Sequence, residues 1–159
     1  MKLFLKIIII LLLVLLQISF APYFSINSAF PNLVLIFVLS LTMLTKQKNI
    51  LFWIILGGIF TDISSFNNPI GVSIIGLFTA SYVVYFLTQN ILKETNIFSL
   101  ILICIIGTLI YGLILILALA VFRISFQFSF TQILSQIIYN TLTFIPVFYL
   151  LKHFIKMKD

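Results

Sequence analysis

Charged residues are scarce in this chain. They make up 8% of its 159 residues, against about 25% in soluble domains, and three of them are acidic. The sequence offers no pair of carboxylates for acid–base catalysis, no Ser/His/Asp or Cys/His set, and no glycine-rich loop for phosphate. Enzymatic function is therefore not expected.

Cysteine and histidine are nearly absent as well. The single cysteine, Cys104, cannot form an intrachain disulfide, and it lies within an apolar run, as small packing residues do. The single histidine, His153, stands among lysines at the end of the last hydrophobic run. Because these two residues are far apart in the sequence, no zinc site is predicted. Neither a metal nor a cofactor is expected.

Hydrophobic residues fill most of the chain instead. They make up 63% of the sequence, and its mean hydropathy is +1.32. A helix needs roughly 20 apolar residues to cross a bilayer, so six spans would use about 120 residues. The pattern predicts one all-α membrane domain over 1–159, a bundle of about six transmembrane helices without a separate soluble domain. The predicted spans are 5–23, 31–45, 50–65, 69–92, 97–122 and 131–152.

The nine basic residues lie beside the hydrophobic runs, and eight of them fall on one side of the predicted bundle. Those eight are Lys2, Lys6, Lys46, Lys48, Lys93, Lys152, Lys156 and Lys158. Lysines near span ends are retained in the cytoplasm during insertion, so both termini are predicted to be cytoplasmic. The lysines form no basic patch with stacking aromatics. This placement argues against nucleic-acid binding and favours contact with anionic lipid headgroups.

The first hydrophobic run permits a second interpretation. A basic start, an apolar stretch over 7–16 and the small–x–small sequence Ser19-Phe20-Ala21 together resemble a cleavable signal peptide. Pro22 directly after the candidate bond is unfavourable for cleavage, so an uncleaved span is favoured. Either outcome leaves the topology of the remaining spans unchanged.

Residues 122–130 alternate between apolar and polar side chains, a period of two that is typical of an extended segment. Such a strip would lie along the outer membrane interface. It would serve either as an aromatic anchor or as a docking edge for the extracytoplasmic part of another protein.

Asp62 is the one acid within or at the edge of a predicted span. A carboxylate at that depth is costly to bury, so it is expected to face protein or water and to have a partner. Arg123 is the one cation predicted on the same side, and an Asp62–Arg123 contact between spans three and five is the hypothesis. The alternative is that Asp62 caps the turn formed by Ser64, Ser65, Asn67 and Asn68.

Small and polar residues within the spans are spaced for contact between helices. Gly57, Gly58, Thr61 and Asp62 share one strip of span three, where small residues let helix backbones approach closely. A polar face on span six consists of Gln132, Gln136, Asn140 and Thr143. Hydrogen bonds between helices are the simplest interpretation of that face, and a partner interface or a ligand cavity is the alternative. Pro146 is expected to kink the helix beyond it.

The segment from Gly57 to Gly71, read as GGIFTDISSFNNPIG, resembles the bacterial rod shape-determining protein MreD family. The start of span two, PNLVL from Pro31, is similar to that family as well. The resemblance implies structural or interface roles for Pro31, Gly58, Asp62, Pro69 and Gly71.

That resemblance also implies a non-enzymatic scaffold of the cell-elongation machinery in the bacterial inner membrane. Its expected partner is an MreC-like bitopic protein, and through it an MreB-like filament and the glycosyltransferase and transpeptidase of lateral-wall peptidoglycan synthesis. A homodimer is a further candidate assembly.

A second function class fits the same length and span number. The substrate-binding membrane subunit of an energy-coupling-factor-type vitamin importer is also a small six-span protein, and the amides of span six could line its ligand cavity. Such subunits present small residues on their first helix for docking. Here residues 7–16 read IIIILLLVLL, which argues against that docking.

Overall fold

A computed structural model describes residues 2–25, 29–45, 50–65, 69–92, 96–123 and 130–156. Within these residues the chain forms six α-helices and one short 3-10 helix, Ala21–Phe24, so the predicted all-α class is confirmed. The α-helices are α1 (Lys2–Ser19), α2 (Leu33–Leu44), α3 (Ile50–Ser64), α4 (Val72–Asn90), α5 (Ile97–Val121) and α6 (Phe130–Lys156). The predicted strip over 122–130 falls largely on residues 124–129, which lie outside the described residues.

The six helices differ in whether they could cross a membrane alone. Among the described residues, three helices are long and apolar enough by length and composition: Val72–Asn90, Ile97–Val121 and Phe130–Ile155. The apolar helices Lys6–Ser19, Leu33–Leu44 and Ile50–Ser64 are shorter. At about 1.5 Å per residue, the 12 residues of α2 cover about 18 Å, well short of the roughly 30 Å hydrocarbon layer.

Helix α2 lies at the centre of the bundle. It contacts each of the other five α-helices, and an unbroken run from Val34 to Thr42 is buried on all sides. A helix that is apolar all round is typical of such a position. Helix α5 packs between α4 and α6, while α1 packs against α2 and α3.

Two glycines set the closest approaches between helices. A Cβ added to Gly58 of α3 would lie 2.7 Å from the backbone nitrogen of Ile74, so α3 and α4 meet backbone to backbone. A Cβ added to Gly107 of α5 would lie 2.5 Å from Cδ1 of Leu39 in α2. Lipid provides no hydrophobic driving force for helices to associate, so close van der Waals packing at small residues stabilises such contacts.

The bundle has two ends, which we name by their residues. At the Lys6 end, where α1, α3 and α5 begin, the Lys6 ammonium lies 5.2 Å from the ring centroid of Phe52 and 5.9 Å from that of Trp53. Trp53 in turn meets Phe37 of α2 edge-on, with centroids 5.0 Å apart. At the opposite end, the Asp62 end, α2, α4 and α6 begin. The functional candidates gather there.

Candidate functional site

Asp62, near the end of α3, caps the start of α4. Its side chain is buried, and its carboxylate accepts hydrogen bonds from the backbone N–H of Gly71 at 2.6 Å and of Ser73 at 3.1 Å. Gly71 is the N-cap residue of α4 and has no side chain to act as a cap. The first N–H groups of a helix lack partners within the helix and carry partial positive charge. Asp62 therefore supplies from α3 the anionic cap that α4 lacks.

Gly71 is held in a conformation that favours glycine. Its φ is +105°, in the left-handed region where a Cβ meets the backbone, while the space around it is open to 4 Å. The carbonyl of Pro69 accepts a hydrogen bond from the Val72 N–H at 3.3 Å. Pro69 and Gly71 thus shape the turn that presents backbone donors to Asp62.

The hypothesis of an Asp62–Arg123 contact is wrong. In the described part of the chain these two residues form no ion pair, and Arg123 is exposed just after α5, where its φ of 55° ends that helix. The alternative hypothesis was that Asp62 caps the turn immediately after α3. The Asp62 carboxylate instead caps the start of α4. Two backbone donors and a helix N-terminus stabilise the carboxylate without a cation.

Ser73 extends the contacts of Asp62 into α5. The Tyr111 hydroxyl donates to Ser73 Oγ at 3.2 Å, and the Asn32 side chain also faces that hydroxyl. Ser73 and Tyr111 are both buried. Sequence reasoning passed over Ser73, because it belongs to no periodic polar face.

The start of α2 is capped by side chains from three directions. The Asn32 side chain accepts from the N–H of Leu35 at 3.0 Å within the helix. Asn140 of α6 accepts from the Asn32 N–H at 2.8 Å, and Gln17 of α1 accepts from the Val34 N–H at 3.2 Å. Side chains of α1 and α6 therefore satisfy backbone donors of α2 inside the protein.

Asn140 also donates through Nδ2 to Thr108 Oγ1 of α5 at 3.1 Å, and its side chain is fully buried. The other residues of the predicted polar face behave differently. Gln132 and Gln136 are half-buried, and the Thr143 hydroxyl bonds to the Tyr139 carbonyl of its own helix. Pro31, from the α2 start, is buried beside Asn32.

We call the connected set the helix-start cluster. It draws side chains from all six helices or their first residues: Gln17, Asn32, Asp62, Ser73, Thr108, Tyr111 and Asn140. Its donors and acceptors are engaged with one another and with backbone groups. In the described residues no three His, Cys, Asp or Glu side chains group as metal ligands would. The hydrogen bonds of this cluster hold the helix ends in place.

Comparison with known proteins gives one clear result. The family model described as rod shape-determining protein MreD matches residues 1–154 of the chain. No curated protein and no solved structure matches significantly.

Proposed function

The chain belongs to the rod shape-determining protein MreD family, and from that premise we propose that it is a non-enzymatic scaffold of the bacterial cell-elongation machinery. The family establishes a role in rod-shape determination for a membrane protein. In the proposed scaffold role, the protein acts by binding other proteins in the membrane and catalyses no reaction.

The observation that supports a scaffold most directly is the use of Asp62. Ionisable side chains within membrane proteins commonly serve transport or proton relay. Here both carboxylate oxygens of Asp62 accept hydrogen bonds from backbone N–H groups at the start of α4, so the carboxylate has a structural role. A buried network with satisfied partners stiffens a fold and favours one arrangement.

We propose that all six helices cross the inner membrane, with both termini in the cytoplasm. If the shorter helices are to cross the membrane, part of the chain beside them must lie within it as non-helical backbone. Such backbone is tolerated where other protein groups form hydrogen bonds with its N–H and C=O groups. Gln17 and Asn140 do so at the start of α2, and Asp62 does so at the start of α4. In this topology the Lys6 end is cytoplasmic and the Asp62 end faces the periplasm.

The proposed partner is an MreC-like bitopic protein. Through it the chain would act with an MreB-like filament and with the glycosyltransferase and transpeptidase that insert lateral-wall peptidoglycan. Gln132 and Gln136 are available for such a contact, because each is half-buried near the start of α6. Arg123, exposed after α5, lies at the same end of the bundle.

Depletion of the protein in its native cell tests this function. Rods that round up while vitamin uptake stays intact are the expected result. Unchanged cell shape with lost uptake would refute the scaffold and favour the importer subunit. Reporter fusions test the topology separately: a fusion after Lys156 should be active in the cytoplasm, and periplasmic activity would overturn the proposed orientation.

A further inference from the structure

A groove between α2, α3 and α4 lies apart from the helix-start cluster. It has a volume of about 330 Å³, within the range of about 300–1,000 Å³ typical of ligand pockets. Leu51, Phe78 and Tyr82 on its rim are 48%, 48% and 60% exposed, so the groove opens sideways from the bundle. Its lining residues are Thr42, Ile50, Leu51, Ile54, Phe78, Ser81, Tyr82 and Tyr85.

Ser81 within this groove carries an unsatisfied hydroxyl. The residue is 5% exposed, and its Oγ has no hydrogen-bond partner in the described part of the chain. Helical Ser and Thr hydroxyls commonly bond to the carbonyl one turn earlier. Thr42 does so to Val38 at 2.8 Å, and Thr79 does so to Ile75 at 2.9 Å. Ser81 departs from this pattern, which leaves a donor beside a cavity.

We propose that the groove binds one acyl chain of a membrane phospholipid and that the Ser81 hydroxyl donates to an ester carbonyl oxygen of that lipid. The medium beside a lateral opening in a membrane protein is lipid. The apolar side chains of Ile54 and Phe78 match a hydrocarbon chain. A buried donor is satisfied when the occupant brings an acceptor.

The order of residues along the groove gives the lipid a direction. Tyr82 and Tyr85 follow Ser81 toward the Lys6 end of α4, whereas Phe78 precedes Ser81 by three residues, toward the Asp62 end. Tyrosines are enriched at headgroup depth. The headgroup therefore lies at the Lys6 end, and its assignment to the cytoplasmic leaflet rests on the proposed topology.

A lipid fits this groove better than the transmembrane helix of a partner. A helix is about 10–12 Å across with its side chains and packs closely where small residues line the contact. The rim here carries Leu51, Phe78 and Tyr82, whose bulk keeps a second backbone away. The chain carries a formal net charge of +6, which favours an anionic headgroup. Phosphatidylglycerol is the matching probe.

The test measures phosphatidylglycerol retained by the purified full chain after washing in detergent. Wild type should retain a single phosphatidylglycerol. Ser81→Ala should weaken its binding by about 2- to 10-fold, the effect of one hydrogen bond, while Thr79→Ala on the same helix should not. Leu51→Trp should block the groove. Its control is Leu109→Trp on α5, because Leu109 is 46% exposed but does not line the groove.

Equal retention by all five proteins, or none by wild type, would overturn the lipid site. A photo-crosslinking aromatic residue in place of Tyr82 gives an independent answer in native membranes. A phospholipid adduct supports the proposal, and an adduct with a protein refutes it. Both measurements are independent of cell shape and of topology, so the lipid site can fail while the scaffold stands, and the reverse.

Discussion

The Asn140 side chain accepts a hydrogen bond from the backbone N–H of Asn32 at 2.8 Å, across 108 residues of sequence. The same amide donates to Thr108, so one side chain joins α2, α5 and α6. Asn140 is fully buried, so other protein atoms surround its side chain. If the Asn140 side chain is removed, no water can therefore replace the hydrogen bonds that it makes.

Asn140→Leu should destabilise the bundle strongly, because it keeps the number of side-chain heavy atoms but leaves the Asn32 N–H and Thr108 Oγ1 without their partner. Each unsatisfied buried group costs about 1–3 kcal/mol. The measurement is the apparent melting temperature of the purified chain in detergent. Thr143→Val on the same helix is the control, since its hydroxyl bonds within α6. Equal effects of the two substitutions would contradict an interhelical role for Asn140.

Substitutions at Asp62 should rank by how many acceptors they leave for the start of α4. Asp62→Asn keeps one oxygen, whereas Asp62→Ala leaves both the Gly71 and Ser73 N–H groups unpaired. Hydrogen bonds to a charged group contribute about 1.5–3 kcal/mol each, so stability should fall from wild type to Asn to Ala.

Arg123→Ala is the matched test of the alternative partner. Arg123 is exposed, and surface substitutions usually change stability by less than about 0.5 kcal/mol. Protein levels and melting temperature should therefore stay near wild type. If Arg123→Ala matched Asp62→Ala, and the double substitution were no worse than either, an ion pair would be restored as the explanation.

Gly58 and Gly112 offer a paired test of helix contact. Gly58→Ala should destabilise the bundle, because its Cβ would lie 2.7 Å from the Ile74 nitrogen and 2.8 Å from the Ile74 Cα. Neither atom can move without shifting α4, and overpacking costs about 1–3 kcal/mol. Gly112→Ala meets nothing within 4 Å and should be neutral or slightly stabilising. Melting temperatures of the two proteins decide, and a tolerated Gly58→Ala would show that α3 and α4 are not in backbone contact.

The sequence predicts the helices well because long apolar runs and their breaks are local properties. The expected spans 50–65 and 69–92 enclose α3 and α4 closely. The short length of α2 was not foreseen, since the predicted span of 31–45 includes Pro31 and Asn32, which lie before the helix. Asn32 acts as a cap there, and the N-cap preference of asparagine was the available signal.

The partners of Asp62 could not be read from the sequence by counting charges. Electrostatic complementarity pointed to Arg123, but backbone N–H groups carry no sequence signature and can satisfy a carboxylate equally well. Gly71 held the missing clue, because a glycine that opens a helix provides no cap of its own. Ser73 and Tyr111 depend on how α4 and α5 pack, which no single segment encodes.

Gly71→Ala should destabilise through backbone strain alone. Its φ of +105° disfavours any residue with a Cβ, by about 1–2 kcal/mol, although the space around it is open. Gly71→Asn should cost less, since asparagine tolerates positive φ better. The apparent melting temperature should rank wild type, Asn, then Ala. A loss for Asn as large as for Ala would point instead to a steric clash.

Lys6 should contribute to stability as a cation over two rings. Lys6→Gln should remove about 0.5–1 kcal/mol, the size of an exposed cation–π contact, and should change the fluorescence of Trp53, the chain's single tryptophan. Lys6→Arg keeps the positive charge and should preserve both stability and emission. Arginine also preserves the positive-inside signal. The Lys6→Arg control therefore distinguishes loss of the ring contact from an altered membrane insertion. Emission unchanged in Lys6→Gln would mean that the ammonium does not rest on the Trp53 ring.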